Sequence, residues 1–277
     1  MRLALVLAGW FAAWGANARI AAQGGAVARW LVPAIFGITL IGIWEAVVQL
    51  FNVPFVILPP PSAVAERIAA STDLLYADFL QTFVKGALSG YAMGAIAGFA
   101  VALVADRFDF LRRGLLPVGN MMAALPIVGT APIFVMWFGS NWESKAAVVF
   151  TMVFFPVLVN TVQGLKEATP MQRDLMATYA ASYGQTLWRL RLPAAMPFIF
   201  NGLKIGSTLA LIGAIVAEFF GSPIVGMGFR ISTSVGTLAL DMVWAEIAIA
   251  ALAGSLFYGA VALAERAATF WHPSQRR

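Results

Sequence analysis

Apolar residues in this chain do not alternate with polar ones; they run in long blocks. Reading from the amino end, the blocks fall at about 28 to 50, 80 to 105, 115 to 138, 145 to 164, 195 to 219 and 243 to 265. Each approaches the roughly 20 residues that a helix needs to cross about 30 Å of hydrocarbon. Backbone N–H and C=O groups find no water there, so each block must satisfy itself as a helix. The pattern therefore predicts an all-α, polytopic membrane protein with about six transmembrane helices. A membrane barrel would instead show segments of about ten residues with alternating character.

The punctuation between blocks is chemical. Asn52 and Pro54 close the first, Asp106 to Arg113 separates the second from the third, and Gly139 to Glu143 makes a polar turn before the fourth. The third block is the least regular, because Pro126 and Pro132 each remove a helix hydrogen bond and clash with the preceding turn. A kink or break is expected near mid-membrane. Broken backbone at that depth is tolerated only where protein or a water-filled cavity covers it, so this span is a candidate pathway wall. The competing reading is a kink that only improves packing. Met121, Met122 and Met136 are candidates to line that wall with adaptable apolar surface, although methionine serves ordinary packing more often.

Composition changes the picture only by exclusion. With 61% hydrophobic and 11% charged residues, there is too little polar surface to clothe a soluble globule of 277 residues. The absence of cysteine excludes disulfides, thiolate nucleophiles and cysteine zinc sites. The single histidine, His272, stands near the tail without a ligand cluster and reads as a surface residue, with no metal site implied.

Charge sets the orientation. With a cytoplasmic amino terminus, the inner segments carry Arg2, Arg19, Arg29, Arg107, Arg112, Arg113, Lys166, Arg173, Arg189, Arg191, Arg266, Arg276 and Arg277, and the outer ones only Arg67, Lys145 and Arg230. Lys85 and Lys204 lie within spans, near enough to an end to snorkel. The net charge of +5 then reflects topology and anionic lipid, and no compact basic domain exists to track nucleic-acid phosphates. Arg2, the apolar run Leu3 to Trp14 and Ala16-Asn17-Ala18 look like a secretory signal with its cleavage site. Cleavage would invert every later loop against the charge distribution, so an uncleaved, interfacial or partly inserted helix is expected. The chain then divides into an amino-terminal apolar segment at 1–27, a first transmembrane helix with its periplasmic connection at 28–78, and a main transmembrane domain at 79–270.

The connection at 166–193 departs from generic membrane sequence. Leu175, Tyr179 and Ser182 or Tyr183 recur at helical spacing, and Thr169-Pro170 is a helix start with proline in the first turn. The segment reads as a short amphipathic helix and a small-residue turn, ending at Pro193 before a membrane span. Such an element can press into a partner's groove and move the span behind it, or lie on the lipid surface.

The same segment resembles the EAA loop of bacterial ATP-binding-cassette (ABC) importer permeases: Glu-Ala-Ala, then a glycine, then a branched apolar residue shortly before Leu-Pro. Aligned on Leu192-Pro193, the branched position is Leu190, the glycine position Ala180 and the acidic position Asp174, with Leu175 and Met176 where the alanines stand. The spacing fits. Alanine at position 180 would meet a turn of positive φ only at a cost. Leu58-Pro59-Pro60-Pro61-Ser62-Ala63-Val64, Ala124-Leu125-Pro126-Ile127, Trp137-Phe138-Gly139, Gly202-Leu203-Lys204 and Ala217-Glu218 are similar to the nitrate, sulfonate and taurine permease family. Asp174 to Met176, and the stretch Ala217 to Gly221 with Gly226 to Arg230, look most like members assigned to pyrimidine or riboflavin-related vitamin precursors.

The resemblance implies a type I ABC importer transmembrane domain in the bacterial inner membrane. It implies cytoplasmic ATPase subunits that bind ATP and magnesium, a second permease subunit identical to the first, and a periplasmic or lipoprotein solute-binding protein. ATPase coupling would fall to Asp174, Leu175, Met176, Tyr179, Ala180, Ala181, Ser182 and Tyr183, and no cofactor to this chain. Consistently, the sequence has no Gly-Lys dipeptide for a Walker A phosphate loop and no serine elbow with a histidine partner, so catalysis is not expected.

Glu45, Lys85, Lys204, Glu218 and Glu246 lie in or at the ends of spans, where ionisable groups are expensive. A proton-coupled secondary transporter would use such carboxylates as a relay, and that is the alternative function. Helix-end anchoring or inter-helix hydrogen bonding is the expectation for Glu45 and Glu246. Glu218 is a pathway candidate beside Met121, Met122, Pro126 and Met136.

Overall fold

The structure is a computed structural model that describes residues 2–123 and 126–271; Ala124, Leu125, His272 and the basic residues Arg276 and Arg277 lie outside the described residues. Among the described residues every regular element is a helix. In order these are α1 (Arg2–Gln23), α2 (Gly25–Phe51), α3 (Pro61–Ala70), α4 (Thr72–Phe79), a π-helical stretch (Leu80–Leu88), α5 (Ser89–Arg107), α6 (Asp109–Ala123), α7 (Ile127–Phe138), α8 (Trp142–Gly164), α9 (Pro170–Thr178), α10 (Tyr183–Thr186), a second π-helical stretch (Leu187–Arg191), α11 (Leu192–Glu218), α12 (Met227–Gly236) and α13 (Leu240–Ala268).

Five continuous helical runs are long and apolar enough to span a membrane: Val27–Phe51, Thr72–Arg107, Trp142–Gly164, Tyr183–Glu218 and Leu240–Ala268. They coincide with five of the six expected blocks. The remaining block, 115–138, is split. Pro126, in an extended conformation, starts the short apolar α7, whereas Pro132 is accommodated inside it. The expected polar connection at 106–113 shrinks to Phe108, because Asp109 already opens α6.

The chain folds as two compact units, Met1–Asp73 with Thr233–Glu246, and Leu74–Ser232 with Ile247–Arg277. In the first, Asn52 ends α2 in a left-handed conformation (φ 51°) with its N–H on the Val48 carbonyl, as the polar punctuation foreshadows. Glu45 accepts hydrogen bonds from the Ser62 N–H (2.9 Å) and Oγ (2.8 Å) and from Gln49, so it caps the start of α3. That is the inter-helix role expected for it. Trp44 packs on Trp244 at 4.7 Å between ring centroids, Arg67 pairs with Asp241 at 2.6 Å, and Glu246 is fully buried. Against α2, Asn17 of α1 donates to the Val32 carbonyl at 3.1 Å.

The second unit is built around α8. Gly90, Gly94 and Gly98 recur one turn apart on α5, and a Cβ at each would stand 2.6–2.7 Å from the carbonyl oxygens of Ala146, Phe150 and Phe154. The two helices therefore meet at backbone distance, which only glycine permits and which drives helix association in lipid. On its other side α8 meets α11, and Val149, Val153, Val157, Ala210 and Ala214 close a core with Ala87 and Ala95.

Candidate coupling and translocation sites

The segment after α8 begins with Thr169, whose hydroxyl accepts from the Gln172 N–H while the Gln172 side chain accepts from the Thr169 N–H. This reciprocal capping satisfies donors that a short helix would leave orphaned. At the other end of α9, the Ala181 N–H reaches the Met176 carbonyl at 3.0 Å and the Ala180 N–H the Ala177 carbonyl at 2.9 Å. With Ala180 at φ 50°, this is a Schellman closure carried by alanine where glycine is favoured. A second capping box, Ser182 with Gln185, opens α10. The expected helix and small turn are thus present.

No residue of α9 is buried: Met171 is 82% exposed, Leu175 57% and Tyr179 77%. Met176 and Ala181 are half-buried, and Asp174, Ala180 and Ser182 are exposed. The following stretch behaves oppositely. Leu187 and Leu192 pack with Leu165, Ala195 and Ile199. Arg191 makes a fork on Asp106, with Nη1 to Oδ2 at 2.7 Å and Nη2 to Oδ1 at 2.6 Å, while its Nε and Nη2 also donate to the Leu165 carbonyl. The Tyr183 hydroxyl donates to Asp106 Oδ2 at 2.7 Å, and Arg107 lies over the Tyr183 ring at 5.0 Å. Arg191 and Asp106 figure in the sequence only as charges near helix ends; nothing local joins residues 85 positions apart.

At the opposite ends of these helices lies a second buried cluster. Glu218 is 2% exposed and accepts from Thr82 Oγ1 (2.9 Å) and the Gly228 N–H (2.8 Å), and Thr82 Oγ1 accepts from the Met227 N–H at 2.7 Å. Asp78 accepts from the Gly226 N–H at 2.6 Å and from Arg230 at 2.8 Å. Gly226 has φ 132°, and a Cβ there would stand 2.5 Å from Glu218 Oε1. Lys145 is a buried residue of α8 whose Nζ donates to the Ser140 carbonyl at 2.6 Å. The Asp78 carboxylate, fully buried, is thus paired with Arg230, which is how buried charge is tolerated. Lys204 pairs with Glu265 at 2.7 Å.

The pathway candidates do not form a single group. Met122 lines a cavity of about 240 Å³ with Ile127, Thr130, Phe134, Met152 and Leu209 beside the break before α7. Met121 and Met136 are 60% and 76% exposed, and Pro126 is exposed at the break itself. Glu218 is held in the cluster with Thr82 and Gly228.

Long apolar helices, one interrupted span and an exposed, doubly capped helix define a polytopic α-helical membrane protein. Residues 90–269 match the family described as binding-protein-dependent transport system inner membrane component, and the chain belongs to that family. It is 30% identical to the formylaminopyrimidine transport permease protein of Halalkalibacterium halodurans over 88% of this chain and 97% of that protein. It is 34% identical to the riboflavin transport system permease protein of Chloroflexus aurantiacus over 85% of this chain and 88% of that one. With the taurine transport system permease protein of Escherichia coli it shares 28% identity over 84% and 86% of the two. The chain is accordingly the permease subunit of an ABC importer of the nitrate, sulfonate and taurine type, a multi-pass membrane transport component and not an enzyme. Its partners include an ATPase and a solute-binding protein.

Proposed function

We propose that the segment 169–183 is the surface on which the ATPase subunit docks and that a small vitamin precursor of the pyrimidine or flavin kind is the transported solute. The observation that supports docking is the exposure of Met171, Leu175 and Tyr179 on a helix capped at both ends. A preformed helix loses little conformational entropy on binding and offers apolar area to a groove. In this reading Leu175, Met176 and Tyr179 bury apolar surface, Asp174 makes a charge contact, and Ala180, Ala181, Ser182 and Tyr183 let the backbones approach. ATP and magnesium belong to the ATPase. The amino terminus is cytoplasmic, and a second, identical copy of the chain completes the pathway. The solute class is suggested by the relatives named for formylaminopyrimidine and riboflavin. Met121, Met122, Pro126, Met136 and Glu218 are the pathway residues of this proposal, Met122 and Pro126 at the broken span and Glu218 in the separate cluster with Thr82 and Gly228.

Ala181→Glu tests the docking. At an interface it would bury an unpaired carboxylate at several kcal/mol, whereas on a solvated or lipid-surface helix the same change costs well under about 1 kcal/mol. The ATPase is expected to co-purify with the wild-type permease and not with this variant, at equal membrane insertion. Retention of the ATPase and of coupled activity would remove the segment from that role.

A further inference from the structure

The segment between α8 and α11 has two halves with opposite behaviour. Residues 170–180 stand clear of the bundle, with no buried side chain in α9. Residues 182–192 are tied into it: Tyr183 and Arg191 converge on the one carboxylate of Asp106, and Leu187 and Leu192 enter the core. Asp106 and Arg191 side chains are 1% and 12% exposed. A planar guanidinium held by both oxygens of a carboxylate has little rotational freedom, and here its remaining donors also fix the Leu165 carbonyl at the end of α8. Asp106 closes α5, which meets α8 at backbone distance along Gly90, Gly94 and Gly98. A displacement of residues 182–191 therefore has an unyielding route into two membrane helices.

We infer that the Arg191–Asp106 ion pair, braced by Tyr183 and the Leu165 carbonyl, is a strut that carries movement of the ATPase-docking helix into α5 and α8. Both are positioning residues, and the inference rests on the docking reading above. In this proposal the ion pair itself touches neither ATPase nor solute; of the groups bracing it, only Tyr183 also lies in the docking segment. Its loss is expected to leave docking intact and to uncouple the membrane helices from nucleotide.

Because the chain lacks cysteine, introduced cysteine pairs can be spin-labelled with no background from the permease, before the ATPase is added. In the assembled permease–ATPase complex, one pair at Gln172 and Ile96 reports the docking helix against α5, and another at Ile96 and Leu256 reports α5 against α13. Ile96 and Leu256 are 70% and 74% exposed, so labels there displace no buried side chain of this chain. Between the nucleotide-free and MgATP–vanadate states, the Ile96–Leu256 distance should shift and the Gln172–Ile96 distance should not. In Asp106→Asn the pattern should reverse, with the ATPase still co-purifying: the first shift is lost and the second distance changes. Arg191→Lys keeps the charge but loses the fork, and should show the same reversal if Asp106→Asn does not accumulate in membranes. An unaltered Ile96–Leu256 shift in either folded variant overturns the strut while leaving docking untouched. Retention of the ATPase by Ala181→Glu overturns the docking reading, and the strut with it.

Discussion

Ala180 occupies a backbone conformation that alanine adopts at a cost of roughly 1–2 kcal/mol, because its Cβ crowds the following carbonyl in the left-handed region. The cost is sustained by the Schellman bonds to Met176 and Ala177, which close α9 just where the chain turns toward Ser182. Ala180→Gly should therefore stabilise the segment by about 0.5–1 kcal/mol, the strain relieved less the added freedom of the unfolded chain. Slower hydrogen exchange at the α9 amides of the purified permease would report it; faster exchange would contradict the strain argument. The sequence exposes this tension because the spacing places an alanine where the family pattern has glycine. Other key residues leave no such trace. Thr82 reaches Glu218 across 136 positions, and Lys145 reads as an ordinary loop-flanking cation until its burial in α8 is seen. Burial of polar groups is decided by helix packing, which hydropathy does not encode.

Helices were more legible than contacts. Length and apolarity alone locate the five long spans, since lipid forces each to complete its own hydrogen bonds. The interruption in the third block follows from Pro126, and the start of α9 from Thr169-Pro170. The π-helical stretches at Leu80–Leu88 and Leu187–Arg191 have no compositional mark, because the same side chains serve an α-helix. The pairing of α5 with α8 is not legible in the sequence: the spacing of Gly90, Gly94 and Gly98 marks a small-residue face on α5 but names no partner helix. Gly94→Leu should force the helices apart, since even a Cβ would stand 2.7 Å from the Phe150 carbonyl. A loss of about 1–3 kcal/mol, or more, is expected from such overpacking. It would appear as reduced yield and lower thermal stability in detergent, whereas Gly259→Leu, which meets open space, should be neutral. Equal stability of the two variants would argue against the close α5–α8 contact.

Across the whole chain, basic residues are unevenly shared between the connections expected on the two sides of the membrane. The three basic residues assigned to the outer side are all engaged: Arg67 with Asp241, Arg230 with Asp78, and Lys145 with Ser140. Those expected inside are far more numerous, which is the asymmetry that holds a topology in place. A cysteine replacing Gln172 should resist an impermeant thiol reagent in intact cells, and one replacing the exposed Asp73 should react. The opposite pattern would invert the proposed orientation. The most direct test is of energy coupling itself. Permease, ATPase and binding protein reconstituted in vesicles should take up the solute that the binding protein retains, with riboflavin and a formylaminopyrimidine tried first under the solute proposal above, only when MgATP is supplied on the ATPase side, and a protonophore should leave that uptake unchanged. Uptake driven by a pH gradient without nucleotide would contradict the account.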